Sequence, residues 1–155
     1  MKIDNGAIEA KKHGITRSPQ WPKIEHEHLQ EFPNCAVCGI NSSVQVHHIF
    51  PFHYCIALGR PDLELDERNL ITLCESTEKE KNNDHHLLIG HYDDFKSSNL
   101  NVKVDSLIYK GFTESQIRSN KGWLLAKLGK IKALDEMTNT EKQNMLNLMN
   151  KTIPK

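Results

Sequence analysis

Cys35 and Cys38 stand in a C-x2-C spacing, which lets two thiolates occupy adjacent corners of a tetrahedron around zinc. Two further ligands are needed, and the natural ones are Cys74 and His85, which gives a Cys3His structural zinc site. The plainer reading of Cys74 is a small buried apolar residue. Cys55 has no paired neighbour and is expected to be a free thiol. His47 and His48 are adjacent, so on a strand they point to opposite sides and must serve two functions. One imidazole could bind a metal while the other reaches a water or substrate. His85 and His86 repeat the arrangement on a helix, where neighbours are separated by about 100°. Six of the nine histidines, His47, His48, His53, His85, His86 and His91, follow Cys38 and lie no further along than the acidic middle of the chain. Two separate sites are the expected layout.

The elements that must hold these residues are short. Pro22 suits a first helical turn, so a helix is expected over Pro22–Phe32, with Arg17 and Trp21 before it and His26 and His28 on its surface. CAVCGINSS reads as a tight turn in which Gly39 takes a positive φ. SVQVHHIF alternates and is rich in β-branched residues, which predicts a strand over Val44–Ile49, ended by Pro51. The stretch PFHYCIALGRPDLELDE reads as a long irregular loop wrapping a site. NLITLC is a second strand beginning after Asn69, and ESTEKEKNND is a polar loop. Asn83 or Asp84 caps a helix over Asp84–Ile89, with Gly90 as its stop. Thr113 with Gln116, and Thr138 with Glu141, form capping boxes. A helix is expected over Trp123–Asp135 with Leu124, Leu128 and Ile131 in register, and a last one carries Met145, Leu148 and Met149 as a packing stripe.

The chain has 155 residues, 37% hydrophobic and 26% charged, with 20 basic and 20 acidic side chains. That length fits a single domain over 1–155, with a core over 17–102 and a basic helical extension over 103–155. A mean hydropathy of −0.58 implies a modest core that a metal would help to stabilise. Net charge gives no bulk attraction to nucleic acid, but charge is segregated: residues 61–94 carry 3 basic against 10 acidic side chains, and 95–155 carry 11 against 5. An acidic middle beside a basic tail fits a divalent-metal region next to a phosphate-binding surface, although charge runs are more often solvated faces. No apolar run is long enough to span a membrane and the opening MKIDNGAIEAKK has no apolar signal core, so a cytoplasmic protein without a membrane partner is expected.

The segments CAVC, VHHIFPFH, LDERNLITLC and HHLLIGH resemble the HNH endonucleases, with the match running roughly from Arg17 to Val102. The resemblance implies an α+β fold: a ββα-metal core stapled by zinc, with a short N-terminal helix and C-terminal helices. It further implies that His47 and His86 bind a catalytic divalent ion, that His48 is the general base and that Asn69 orients it. Zinc-containing members usually have a second C-x2-C, whereas Thr77 stands here and His85 supplies the fourth zinc ligand after a polar insertion. His91 lies five residues from His86, about 140° around an α-helix, and joins the metal only if the chain bends back after Gly90.

The chemistry is coherent on its own terms. Cleaving a phosphodiester requires a deprotonated water in line with the leaving oxygen, and a neutral imidazole can take that proton. His48 fits that task, while a divalent ion (Mg2+, Mn2+ or Ni2+) on His47 and His86 would neutralise the leaving oxygen. Asn69 either bonds backbone groups across the long loop or simply begins a strand at a turn. Arg17, Lys121, Lys127 and Lys130 are the candidate DNA contacts. The resulting expectation is a metal-dependent DNA endonuclease, and a homodimer is compatible with it. The alternative is a zinc-dependent nucleic-acid-binding module without catalysis.

Overall fold

The computed structural model describes residues 15–80 and 83–155 together with Ile8 and Lys11. Most of the opening segment and positions 81 and 82 of the polar stretch lie outside the described residues. Helix α1 (Trp21–Glu31) has Pro22 in its first turn, where the missing N–H costs nothing. Strands β1 (Val44–His48) and β2 (Leu70–Cys74) pair antiparallel, with His48 opposite Leu70 and Val44 opposite Cys74. The register sets the Cys74 end of β2 beside the start of β1 and the two histidines at the opposite end. The fold is therefore mixed, with helices around a small two-stranded sheet.

Several elements differ from the sequence expectation. The stretch after Pro51 is not irregular: α2 (Phe52–Ala57) buries Phe52, Tyr54 and Cys55, and two short 3-10 turns follow at Pro61–Glu64 and Glu67–Asn69. The expected α-helix over Asp84–Ile89 is a π-helical turn over His86–Gly90. Asp84 does accept a hydrogen bond from the Leu87 amide, so the capping residue is as read while the helical type is not. His28 is buried, and its Nδ1 lies 2.7 Å from the Glu67 carboxylate; helix phase turns it toward the sheet.

Helices α3 (Val102–Ile108), α4 (Glu114–Arg118), α5 (Lys121–Leu128) and α6 (Asn139–Thr152) complete the fold, and both predicted capping boxes are present, at the starts of α4 and α6. The helix expected over Trp123–Asp135 stops at Gly129, and Leu124 and Leu128 are exposed, Leu128 at 84%. Trp123 is the buried anchor instead, its Nε1 donating to the Leu88 carbonyl.

The C-terminal helices share cores with the site-bearing segments. Ile117 and Trp123 pack with Ile71, Leu73, Leu88 and Ile89, while Met145, Met149 and Ile153 pack with Phe50, Tyr54 and Leu63. Removing the chain after Val102 would open both, so the basic region has to be tested by lysine substitution. Arg60, 2% exposed, fixes α6 to the segment after α2 by donating to Asp62, Asn150 and the Ile153 carbonyl. Arg60→Ala is expected to lower unfolding stability by about 3 kcal/mol, because the Ile153 carbonyl and Asn150 lose a charged donor. Urea unfolding followed by circular dichroism measures this, and Arg60→Lys should recover only part, since a single ammonium cannot replace the guanidinium fork.

Candidate functional site

The first cluster joins the turn before β1, the end of β2 and the start of the π turn. Cys35, Cys38, Cys74 and His85 bring four ligand atoms within 4.8 Å of one another. Cys38 and Cys74 sulfurs are 3.7 Å apart, and His85 Nδ1 lies 3.3 Å from Cys74 Sγ and 3.7 Å from Cys35 Sγ. A zinc tetrahedron with Zn–S near 2.3 Å has sulfur–sulfur edges of roughly 3.8 Å, so the donor set fits such an ion. Gly39, directly after Cys38, takes a φ of 79° and donates its amide to the Cys35 carbonyl, closing the turn that carries the two cysteines. A hydrogen bond from Cys74 holds the Cys35 thiol down at about 3, while the same contact, then burial, pushes Cys74 far above the usual thiol range. Only one of these two thiols ionises readily without a cation, and a divalent ion would stabilise both thiolates. All four cysteines are free of disulfides.

The second cluster is His47, His86 and His91, all buried by their neighbours. His86 and His91 Nε2 atoms are 3.2 Å apart, and the His47 ring lies edge-on to both. His91 Nδ1 donates to the Ser97 carbonyl at 2.6 Å, which leaves Nε2 as the unprotonated, ligating atom. His86 Nδ1 faces the Glu75 carboxylate at 3.6 Å. His47 Nε2 is buried without a hydrogen-bond partner, an arrangement that is costly unless a ligand occupies the position. Burial, then the neighbouring imidazoles, pushes His47 well below its ordinary value, and burial and His86 push His91 down to about 3. Both are therefore neutral, the form that coordinates metal.

The π turn accounts for His91. In a helix bonded i→i+5, residues five apart return to one side, so His86 and His91 face the same point although an α-helix would separate them. The turn ends at Gly90 as the sequence suggested, and Gly90 also lacks the side chain that would collide with His47. A Cβ at Gly90 would sit 3.1 Å from His47 Cε1 and 3.2 Å from Leu73 Cδ1. Gly90→Ala is expected to leave the protein folded and to weaken divalent-ion binding at this cluster several-fold by displacing the His47 ring. Calorimetric titration of Ni2+ against the zinc-loaded parent measures it.

His48 points the other way, against Trp21 and Phe52. Its Nε2 lies 2.8 Å from the Glu64 carbonyl, so Nε2 carries the proton and Nδ1 is the basic nitrogen. Asn69 is fully buried and bridges the long segment: its Oδ1 accepts from the Phe50 amide, and its Nδ2 donates to the Phe50 and Leu63 carbonyls, each at 2.8 to 3.0 Å. Of its two readings, the backbone bridge is the one the geometry fits. Arg17 stacks on Phe52 at 3.7 Å and Trp21 at 4.7 Å, and reaches Glu64 at 3.7 Å. Arg17, His47, His48, His86 and His91 line one pocket.

The basic tail is placed differently. Lys130 pairs with Asp94 at 2.9 Å and Lys127 lies over the Trp123 ring, while Lys121 begins α5; none of the three lines the pocket. Sequence reasoning missed Glu64, whose contribution to His48 is a backbone carbonyl and so has no residue-type signal. It also missed Glu75, which has one: a carboxylate directly after a ligand cysteine.

Residues 35–80 match the family model described as HNH endonuclease. That segment, which contains the Cys35 turn, both strands and the His48 and Asn69 positions, is similar to the HNH endonuclease family. No curated protein and no solved structure gave a match. No described helix is long and apolar enough to cross a membrane, and neither the family match nor the described residues support a homodimer.

Proposed function

We propose that the protein is a metal-dependent endonuclease hydrolysing DNA phosphodiester bonds, built on a ββα-metal core whose helix is the π turn. The observation that carries this is the side-by-side placement of an oriented imidazole, His48, and a buried three-imidazole cluster on one pocket. His48 Nδ1 takes the proton of the attacking water; the new P–O bond forms as the bond to the leaving oxygen breaks. The Glu64 carbonyl fixes the tautomer, and Asn69, bonded to Leu63 and Phe50, holds the backbone that presents both.

A divalent ion on His47, His86 and His91 would supply Lewis-acid stabilisation of the leaving oxygen. Three imidazoles suit Ni2+ or Zn2+ better than Mg2+ or Mn2+, which prefer oxygen ligands, so Ni2+ ranks ahead of Mn2+ and Mg2+ for this site. The Cys3His cluster would hold zinc in a structural role. Arg17 would contact the phosphate backbone, and Lys121, Lys127 and Lys130 would add weaker contacts.

The test is cleavage of supercoiled, linear and single-stranded DNA by the zinc-loaded chain with Mg2+, Mn2+ or Ni2+ added. Nicking or linearisation that depends on the added ion is expected. Binding of DNA with no cleavage under any of these ions would leave the non-catalytic zinc module as the reading.

A further inference from the structure

Phe95, Lys96 and Ser97 also line the pocket, and sequence spacing assigned none of them. Lys96 is exposed, yet its position is set on both sides by the histidine cluster. Before it, the Phe95 ring packs at 4.8 Å from His91 and 5.5 Å from His86. After it, the Ser97 carbonyl accepts from His91 Nδ1, Ser97 Oγ donates to the Ile131 carbonyl and Ser98 Oγ to the Ile49 carbonyl. The backbone amide of Lys96 itself donates to Asp94 Oδ1 at 3.0 Å. A lysine between two such anchors is held at the rim.

Its ammonium forms no ion pair among the described residues, although its charge acts on Asp94. Asp94, the nearest carboxylate in sequence, has its Oδ2 on Lys130 at 2.9 Å, and Arg118 is taken by Asp93. A long flexible ammonium on a residue lining a small cavity, about 40 Å³, suits an anion passing across the opening more than a base entering it. Arg17 is on the His48 flank and Lys96 on the His91 flank.

We infer that Lys96 is a substrate-binding residue, holding a phosphate of the nucleic-acid backbone on the His91 side of the pocket. This rests on the nuclease reading above, and it adds to Arg17 and the three tail lysines of the sequence expectation a second backbone contact in the pocket lining.

The test uses the zinc-loaded full chain carrying His48→Ala, so that a 20-base-pair duplex is bound without being cut. Affinity is measured by fluorescence anisotropy across a salt series for this parent and for added Lys96→Ala, Lys96→Arg and Lys151→Ala. Lys151 is an exposed lysine of α6 outside the pocket, and it reports the effect of one lost charge anywhere. Lys96→Ala should reduce the log-log salt slope by about 0.9, the contribution of one phosphate contact. Lys96→Arg should restore the slope and Lys151→Ala should not change it. An unchanged slope in Lys96→Ala, an equal fall in Lys151→Ala, or a parent that binds no duplex overturns the inference. If the slope falls as expected while the His48-intact chain cuts no DNA with any ion, Lys96 stands and the nuclease reading fails.

Discussion

His48→Ala should lower the single-turnover rate of DNA cleavage 10²- to 10⁴-fold, about 3 to 5.5 kcal/mol of barrier, and leave duplex affinity and divalent-ion binding unchanged. The two faces of β1 are the reason. His48 lies on the Trp21 and Phe52 side with its Nε2 on the Glu64 carbonyl, whereas His47 projects into the cluster with His86 and His91. His47→Ala should do the reverse, weakening Ni2+ affinity at this cluster so that excess ion recovers part of the rate. Calorimetric titration of Ni2+ into both variants beside their cleavage rates separates the two. Equal loss of ion binding in both would remove the division of labour, and full activity in His48→Ala would remove the general base.

The largest effect on stability is expected at the other cluster. Cys74→Ser, or strong chelation of the parent, should unfold the protein, since a structural zinc contributes on the order of 10 kcal/mol of coupled folding free energy. Cys74 ends β2, Cys35 and Cys38 form the turn leading to β1, and His85 begins the π turn, so one ion would tie together every piece that positions the second cluster. The sheet that remains has only two five-residue strands, and an isolated pair of that size is marginal in water. Zinc content by mass spectrometry and thermal melting followed by circular dichroism check this. A zinc-free chain with an unaltered melting transition would show that the apolar cores suffice.

Much of this site was legible because its signals are local. C-x2-C at Cys35 and Cys38, alternation through His47 and His48, and the capping pairs Thr113 with Gln116 and Thr138 with Glu141 each follow from spacing within a few residues. What could not be read depends on tertiary context. Apolar residues in α2 look like loop by period because Tyr54 and Cys55 face a core while Phe52 faces His48 and Arg17. Leu124 and Leu128 have helical spacing, yet Trp123 claims the buried side of α5. Asn69 reads equally well as a turn residue until Phe50 and Leu63 are brought to it. Lys96 carries no pattern of its own, and only the anchoring of its neighbours to His91 brings it to the pocket.

The helical type between His86 and His91 absorbs a change in chain length. Ligands four apart on an α-helix share a face, and ligands five apart on a π turn do so as well. The five-residue spacing here is therefore equivalent to a four-residue one with a single insertion taken up as a bulge. A chain lacking Leu87, which is only partly buried, should settle into ordinary α-helical bonding and keep the two imidazoles on one side. The disturbance would fall on Leu88 and Ile89, both fully buried, so such a shortening would spend core packing while sparing the ligand geometry. A second insertion has no equivalent refuge, and it would turn His91 away from His86.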